Sequence, residues 1–393
     1  MTPEEIELLS ELTIIIPTCN RPFELERAIE YWRVLPVTVF IIDGSERPWF
    51  SIGVLPTLSK IYYHHLPQNH GESSMENYCR RMEFASRLPT TKFSALCADD
   101  DFFTIRGMIH FCQRLKVDKS VDALVGICAE YTILEQKEFL WNLRYTEWKA
   151  SSNSGSDNLR DRVLDTSSIF YLYYAIMRSE CWRATVFNAF KISYNHHYFH
   201  EHAMTLICRA YGKSSCENRI YWVKKYFEPN PSVSPQLIRE ADWFRNPEND
   251  IEIKNFRYHL SGVIAQALGK SEHDNEAKDI VNSYLKRVSR FSDTAKFRKV
   301  KKLVLSNVTR FSRPIPLRCR QCINRILPRK IQVWTGASNE RPLSHLIKNN
   351  KQKLSKLTEA IGNTEIKFEV DDLLLIEQVL SAPREELRLR ANI

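Results

Sequence analysis

The chain has 393 residues, 43% of them hydrophobic and 11% aromatic, so it can bury a sizeable core and is not disordered or low-complexity as a whole. Its formal net charge of +9 predicts an anionic partner, and most of the excess lies after residue 280. Most of the ten cysteines stand alone inside apolar runs, which is typical of free thiols and excludes a disulfide framework. The acidic N-terminus lacks the pattern of a signal peptide, and no run approaches the ~20 apolar residues that span a bilayer. We therefore expect a cytoplasmic protein, at most peripheral on the inner face of the cytoplasmic membrane.

Short apolar runs rich in β-branched residues alternate with helical patterns through the first third of the chain. The first two runs are continuous, which predicts strands buried on both faces of a parallel sheet. The predicted strands cover residues 12–17, 37–42, 61–66, 93–98 and 121–129, and the predicted helices cover residues 23–34, 71–88 and 105–115. This alternation predicts an α/β fold with a Rossmann-like, mostly parallel sheet and flanking helices.

Three consecutive carboxylates, Asp99, Asp100 and Asp101, follow directly on the apolar run 93–98. In an open α/β sheet, ligands bind beyond the carboxyl ends of the strands. Adjacent carboxylates raise one another's pKa unless a cation neutralises them, and oxygen ligands of this kind suit Mg²⁺ or Mn²⁺. The triplet therefore predicts a metal site shared with a phosphate, and a solvated acidic turn is the alternative.

The acidic triplet is the last of four motifs that stand in a characteristic order. They are residues 13–22 (TIIIPTCNRP), residues 41–45 (IIDGS), Asn69-x-Gly71 followed by Asn77, and residues 99–101. Together they resemble the family 2-type glycosyltransferases with the GT-A fold, over roughly residues 12–225. The second strand carries Ile42 where many members of that family have a further aspartate.

The resemblance implies a nucleotide-diphosphate sugar donor, most often a UDP-sugar, and a divalent cation, Mg²⁺ or Mn²⁺. It implies that the metal is bound by Asp99 and Asp101. The donor-binding residues that it implies are Pro17, Thr18, Asn20, Arg21, Asp43, Gly71, Asn77, Asp99 and Asp100. The residues alone leave alternatives open, since Asn20 and Arg21 also suit the first turn of a helix and Asp43 also suits a simple turn before Gly44.

Two stretches of the middle region are candidates for contact with substrate. Residues 151–158 form a polar loop that could close over the donor or remain a plain surface loop. Residues 169–177 predict an aromatic strand, whose rings could stack on a sugar or pack in the core.

Glu201 and His202 are the candidate catalytic residues. The resembled family has an acidic pair before a helix of the form Leu-x-x-Arg-x-x-x-Gly, and here Leu206, Arg209 and Gly212 follow at similar offsets. In inverting members one acid of that pair removes the proton of the acceptor hydroxyl. Glu201 is the implied general base, and His202 replaces the second acid. His200 or His202 could instead be the base or a metal ligand, and the alternative is that these histidines are buried polar residues at a helix start.

A proline-rich stretch at residues 228–235 predicts the end of the α/β domain. We therefore expect a catalytic domain at residues 1–235 and an α-rich, basic region at residues 236–393. A basic tract at residues 286–330 could contact an anionic membrane surface or, less favourably, nucleic acid. A solvated helical face or a contact in a homo-oligomer is the alternative.

The combined prediction is a metal-dependent glycosyltransferase. It would transfer a sugar from a nucleotide-diphosphate donor to a glycan or lipid-linked acceptor in surface polysaccharide synthesis. The rival hypotheses are a catalytically dead GT-A-like adaptor that binds membrane or nucleic acid, and a nucleotidyltransferase. A nucleotidyltransferase normally needs a glycine-rich phosphate loop with a lysine near the first strand, and residues 18–21 contain no glycine.

Overall fold

The structure, a computed structural model, describes residues 1–49, 60–133, 139–144, 155–165, 172–194, 197–225, 246–272, 274–291 and 370–381. The strands are β1 (Leu12–Thr18), β2 (Thr38–Asp43), β3 (Ile61–His65), β4 (Phe93–Leu96), β5 (Asp101–Phe103), β6 (Ala123–Ile133), β7 (Phe139–Arg144), β8 (Ile176–Arg178) and β9 (Ser214–Lys225). The helices are α1 (Pro3–Ser10), α2 (Pro22–Trp32), α3 (Ser74–Ala85), α4 (Ile105–Val117), α5 (Leu159–Leu164), α6 (Ser179–Ala189), α7 (His197–Tyr211), α8 (Asp250–Ala267), α9 (Asn275–Phe291) and α10 (Val370–Ser381).

Among the described residues, nine strands form one sheet with the order β3-β2-β1-β4-β8-β6-β9-β5, and β7 pairs with β6 outside this row. Strands β3, β2, β1 and β4 run parallel to one another. Strand β9 is parallel to β6, whereas β8, β5 and β7 join the sheet through antiparallel pairs. The predicted α/β fold is confirmed. The four parallel strands β1 to β4 are those that the apolar runs predict.

The continuous apolar run of β1 reflects burial on both faces of the sheet. Ile14 and Ile16 belong to one hydrophobic cluster, with α1, α2, α4 and α10, while Ile15 belongs to the other, with α3 and α5 to α9. Side chains alternate between the two faces of a strand, so each face requires its own apolar residues. Strand β1 separates β2 from β4, and its carboxyl end is therefore the point at which the strand order reverses.

Local signals set the ends of the elements around this reversal point. Helix α3 begins after Ser73, which forms a capping box with Glu76, so the predicted helix 71–88 is shorter at both ends. Helix α2 begins at Pro22, a favoured first residue because it lacks an N–H to satisfy. The aromatic run 169–177 is not one strand, since Leu172–Tyr174 is a 3-10 turn and, among the described residues of the run, the strand begins at Ile176.

The predicted α-rich C-terminal region is confirmed in helices α8, α9 and α10. Helices α8 and α9 pack in the cluster that contains α6 and α7, whereas α10 packs on the opposite face of the sheet. The predicted domain boundary at residue 235 and nearly all of the basic tract 286–330 lie outside the described residues. No helix in the described part of the chain is both long and apolar enough to cross a membrane.

Candidate active site

A cleft of about 260 Å³ opens at the carboxyl ends of β1 and β4. Four of the predicted donor-binding residues line it, namely Pro17, Thr18, Arg21 and Asp99. The remaining polar wall consists of an arginine and three tyrosines, Arg81, Tyr78, Tyr173 and Tyr174. The cleft lies where the strand order reverses, the usual ligand-binding position in an open α/β sheet.

The acidic triplet connects two strands. Strand β4 ends at Leu96, and Asp101 opens the short strand β5, so the prediction that one strand runs directly into the triplet is corrected. The Cys97 N–H donates to the Ile15 carbonyl (2.9 Å), and the Asp101 N–H donates to the Ala98 carbonyl (3.2 Å). The first bond holds the acidic loop, residues 97–101, against β1, and the second closes a turn within the loop.

Arg21 neutralises two of the three carboxylates. Its Nη1 lies 2.6 Å from Asp99 Oδ1, and its Nη2 lies 2.6 Å from Asp100 Oδ2. The Thr18 hydroxyl donates to the second oxygen of Asp99 (2.7 Å). Asn20 adopts a left-handed conformation (φ 55°), and its N–H donates to Ser45 Oγ. Asn20 is exposed and does not line the cleft, so it turns the backbone that presents Arg21.

Asp101, the last residue of the triplet, is buried and is bound by strand β9. The Trp222 Nε1–H donates to Asp101 Oδ2 (2.9 Å), and Lys224 is the partner of Asp101 in the β5–β9 register. Lys224 Nζ lies 3.4 Å from Oε1 of the buried Glu130. Burial, with a contribution from the neighbouring Asp100 charge, raises the pKa of Asp101 well above its usual range. Burial also raises the pKa of Asp99 to about 6, against the opposing effect of Arg21.

The donor set fits a divalent cation that is shared with a substrate. No group of three or more His, Cys, Asp or Glu side chains in the described residues could cage a metal on its own. Mg²⁺, however, is usually held by one or two carboxylates together with substrate phosphates. Among the described residues, Arg21 pairs with Asp99 and Asp100, and Lys224 pairs with Glu130. Burial is the main cause of the raised pKa of Asp99 and Asp101, and the neighbouring Asp100 charge adds to it. A hard cation would offset that repulsion between carboxylates.

Arg81 is the functional candidate that the sequence motifs did not single out. Only 4% of the residue is exposed, and it lines the cleft. Its Nη1 donates to the carbonyls of Thr18 (2.8 Å) and Ile42 (2.9 Å), which joins the carboxyl ends of β1 and β2. Its Nε donates to Asn77 Oδ1 (2.9 Å), so Asn77 orients Arg81. Nη2 makes no hydrogen bond within the described residues, and it is the atom left to meet a ligand.

Gly44 makes room for this arginine. A Cβ at residue 44 would lie 2.6 Å from Arg81 Cζ and 2.7 Å from Asn77 Oδ1. We therefore expect Gly44→Ala to displace Arg81 and to cost about 1–3 kcal/mol of the free energy of unfolding. Chemical denaturation measures this loss. Gly155→Ala is the control, because a Cβ there meets nothing within 4 Å, and equal losses in both variants would contradict this role of Gly44.

Two other predicted donor-binding residues lie apart from the cleft lining. Asp43 is fully buried, where Oδ1 accepts from the N–H (2.8 Å) and hydroxyl (2.5 Å) of Ser45 and Oδ2 accepts from the Tyr63 hydroxyl (2.5 Å). Its carboxylate therefore organises the turn after β2, as the turn alternative predicts. Gly71 is exposed with φ 79°, which only glycine adopts freely, and it shapes the turn before α3.

The two candidate catalytic residues separate in space. Glu201 is partly buried on α7 and is not among the residues that line the cleft, although its charge adds to the rise that burial causes in the pKa of Tyr173 and Tyr174. His202 is fully buried, with Nδ1 2.6 Å from the Tyr284 hydroxyl of α9. His200 is also buried, with Nδ1 3.1 Å from the Ala189 carbonyl. The burial of both histidines favours the alternative that they are buried polar residues at a helix start.

Comparison with known proteins adds little to this description. No family model matches the chain, and no curated protein sequence matches it. Among solved structures, the chain resembles the crystal structure of S. aureus TarS 1-349, with 12% identity and a TM-score of 0.43, over 73% of this chain and 74% of that chain. A resemblance at this level assigns no activity, and the function therefore has to come from the chemistry of the cleft.

Proposed function

We propose that this protein is a metal-dependent glycosyltransferase that binds a nucleotide-diphosphate sugar in the cleft at the ends of β1 and β4. The observation that carries the proposal is the meeting of the acidic loop with Arg21 and Arg81 at the reversal point of the sheet. Carboxylates and arginines in one cleft suit a polyanion that arrives with a cation. The ordered sequence motifs that resemble family 2-type glycosyltransferases support the same assignment.

The diphosphate would lie between the arginines and the acidic loop. Bound Mg²⁺ or Mn²⁺ would act as a Lewis acid that stabilises negative charge on the departing diphosphate. Asp99 and Asp101 are the residues that would hold the cation, with Asp100 beside them. Arg21 reaches Asp99 and Asp100 through both Nη atoms and is half-exposed, so its guanidinium is within reach of a phosphate bound at the loop. Arg81 would add an N–H donor from the floor of the cleft.

The sugar and the acceptor would lie against the tyrosine wall. Tyr78 and Tyr173 are hydrogen-bonded to each other through their hydroxyls, and Tyr174 stacks on Trp222 with ring centroids 4.0 Å apart. A rigid aromatic wall of this kind offers a face on which a sugar ring can pack. Glu201 would remove the proton of the acceptor hydroxyl as that oxygen attacks the anomeric carbon. The acceptor we propose is a glycan or lipid-linked glycan, with the basic tract 286–330 as its membrane or subunit contact.

A ligand panel tests the assignment directly. Thermal unfolding would be followed with UDP, GDP, ADP and their sugar conjugates, each with Mn²⁺, with Mg²⁺ and with a chelator. One nucleotide family is expected to stabilise the native state by about 2–3 kcal/mol at a hundredfold excess over its Kd, and the chelator should remove most of that gain. Release of the nucleoside diphosphate from the stabilising donor should then be measurable. An adaptor with a dead site would show no stabilisation by any donor, which would overturn the proposal.

Replacing Glu201 tests the proposed base. We expect Glu201→Gln to lower the rate of sugar transfer by about a hundredfold or more while the affinity for UDP with Mn²⁺ stays the same, since the base acts on the acceptor and not on the donor. Glu180→Gln is the matched control, because Glu180 is an exposed glutamate on the neighbouring helix α6. Full transfer activity in Glu201→Gln would remove this residue from the mechanism.

A further inference from the structure

Helix α10 lies far along the chain from the acidic loop, yet it packs against α2 in the hydrophobic cluster on one face of the sheet. Leu373, Ile376, Val379 and Leu380 are buried in the hydrophobic cluster that also contains Phe102 and Phe103 of β5. Strand β5 begins with Asp101 of the acidic loop, so it connects this cluster with the candidate active site. The sequence gives α10 an apolar character and no chemical motif.

Asp372 makes the closest link between α10 and the loop region. Only 6% of Asp372 is exposed, and its Oδ2 accepts the backbone N–H of Arg106 (2.7 Å), 266 residues away in sequence. The first N–H groups of a helix have no partner within the helix, and a carboxylate there also interacts favourably with the helix dipole. In α4 the Gly107 N–H is satisfied by the Thr104 hydroxyl (3.2 Å) and the Arg106 N–H by Asp372. The N-terminus of α4 is thus completed by a residue of α10.

Hydrogen bonds also fasten the segment between Asp101 and Arg106, whose N–H is capped by Asp372. The Thr104 N–H donates to the Tyr221 carbonyl (2.8 Å) and its hydroxyl to the Ile220 carbonyl (2.9 Å), which fastens the start of α4 to β9. The Tyr31 hydroxyl donates to the Phe103 carbonyl (2.5 Å). Burial raises the pKa of Tyr31 and the nearby Asp372 charge adds to it, which is consistent with their close approach. The backbone from Asp101 to Arg106 is therefore held at each end of β5 and once more at Arg106.

We propose that Asp372 is a positioning residue for the acidic loop: by capping α4 it fixes the strand that carries Asp101. The loop would thereby be preorganised for the cation and the diphosphate. The expected change in UDP affinity rests on the proposed function, whereas the expected change in hydrogen exchange does not. Preorganised sites bind more tightly because less ordering remains to occur when the ligand arrives.

Full-length Asp372→Ala and Asp371→Ala form a matched pair. Both aspartates lie in the first turn of α10, but Asp371 is exposed, so loss of charge at the start of α10 is common to both variants. Amide hydrogen exchange would be followed across the chain, and the affinity for UDP with Mn²⁺ would be titrated well below the unfolding midpoint. Asp372→Asn, which keeps an oxygen acceptor, serves as the conservative variant and replaces Asp372→Ala if that variant fails to fold.

We expect exchange at residues 99–108 to become about fivefold to tenfold faster in Asp372→Ala, while the amides of α10 keep their protection. UDP affinity should fall by about threefold to tenfold in Asp372→Ala, less in Asp372→Asn, and not in Asp371→Ala. Unchanged exchange at residues 99–108, or equally faster exchange throughout α10, would overturn the inference. If the wild-type chain binds no nucleotide, the proposed function fails, and the exchange pattern still decides the role of Asp372.

Discussion

Asp101→Asn is expected to abolish sugar transfer and donor hydrolysis and, at the same time, to stabilise the protein at neutral and alkaline pH. The loss should be at least about a hundredfold, because the charge that would hold the cation is removed. Asparagine keeps an oxygen that can accept the Trp222 Nε1–H, so the loop retains its internal bond. Steady-state transfer assays and denaturant unfolding from pH 5 to pH 9 measure the two effects.

The pH dependence follows from the direction of the pKa shift. Burial raises the pKa of Asp101, so the native protein keeps a proton that the unfolded chain has already released. Stability therefore falls as pH rises from the ordinary carboxyl pKa towards the raised one. The asparagine variant lacks this loss, and its advantage should grow by about 1 kcal/mol or more across that range. Asp161→Asn, at an exposed carboxylate of α5, should change neither activity nor the pH profile. Retained activity in Asp101→Asn would refute the metal role.

Arg81→Met is expected to weaken UDP binding by about a hundredfold and to destabilise the fold by about 2–3 kcal/mol. The substitution keeps most of the volume of the side chain but removes every donor, so the Thr18 and Ile42 carbonyls and the Asn77 amide oxygen lose their partner in a buried site. It also removes the cation on the floor of the cleft. Calorimetric titration and chemical denaturation would measure binding and stability separately.

Arg80→Met is the matched control on the same helix. Arg80 pairs with Glu72 at the surface, where an ion pair contributes at most about 1 kcal/mol. UDP affinity should remain unchanged in this variant. If Arg81→Met loses stability but binds UDP as tightly as the wild type, Arg81 serves only to join β1 and β2, and the nucleotide contact would have to lie elsewhere in the cleft.

The sequence was sufficient for the features that depend on local pattern. Continuous apolar runs identify β1 and β2 because both faces of those strands are buried, and the acidic triplet is found because it ends such a run. Thr18, Arg21 and Asp99 meet in the structure as expected, since the ends of neighbouring parallel strands lie side by side. These inferences need only the alternation of strands and helices.

Contacts between distant segments could not be inferred in this way. Trp222 reaches Asp101 from a strand that follows 121 residues later, and its place beside β5 depends on the full strand order. Asn77 belongs to a sequence motif, but its amide oxygen orients Arg81, a residue that belongs to no motif. His202 follows Glu201 in sequence but, one residue further along a helix, faces the core and not the cleft. An arginine four residues after a motif asparagine was the available signal for Arg81.

The placement of β5 at the edge of the sheet has a consequence for biosynthesis. Its strand partner within the described residues, β9, ends at Lys225, and α10, whose Asp372 caps the helix after β5, begins at Val370. While the ribosome is still translating the middle of the message, the parallel strands β1 to β4 can already associate, but Asp101 does not yet have Trp222 beside it, and the helix after β5 does not yet have its cap. Competence to bind donor should consequently arise late, and nascent chains stalled before residue 370 should be more susceptible to protease around residue 101 than the finished protein.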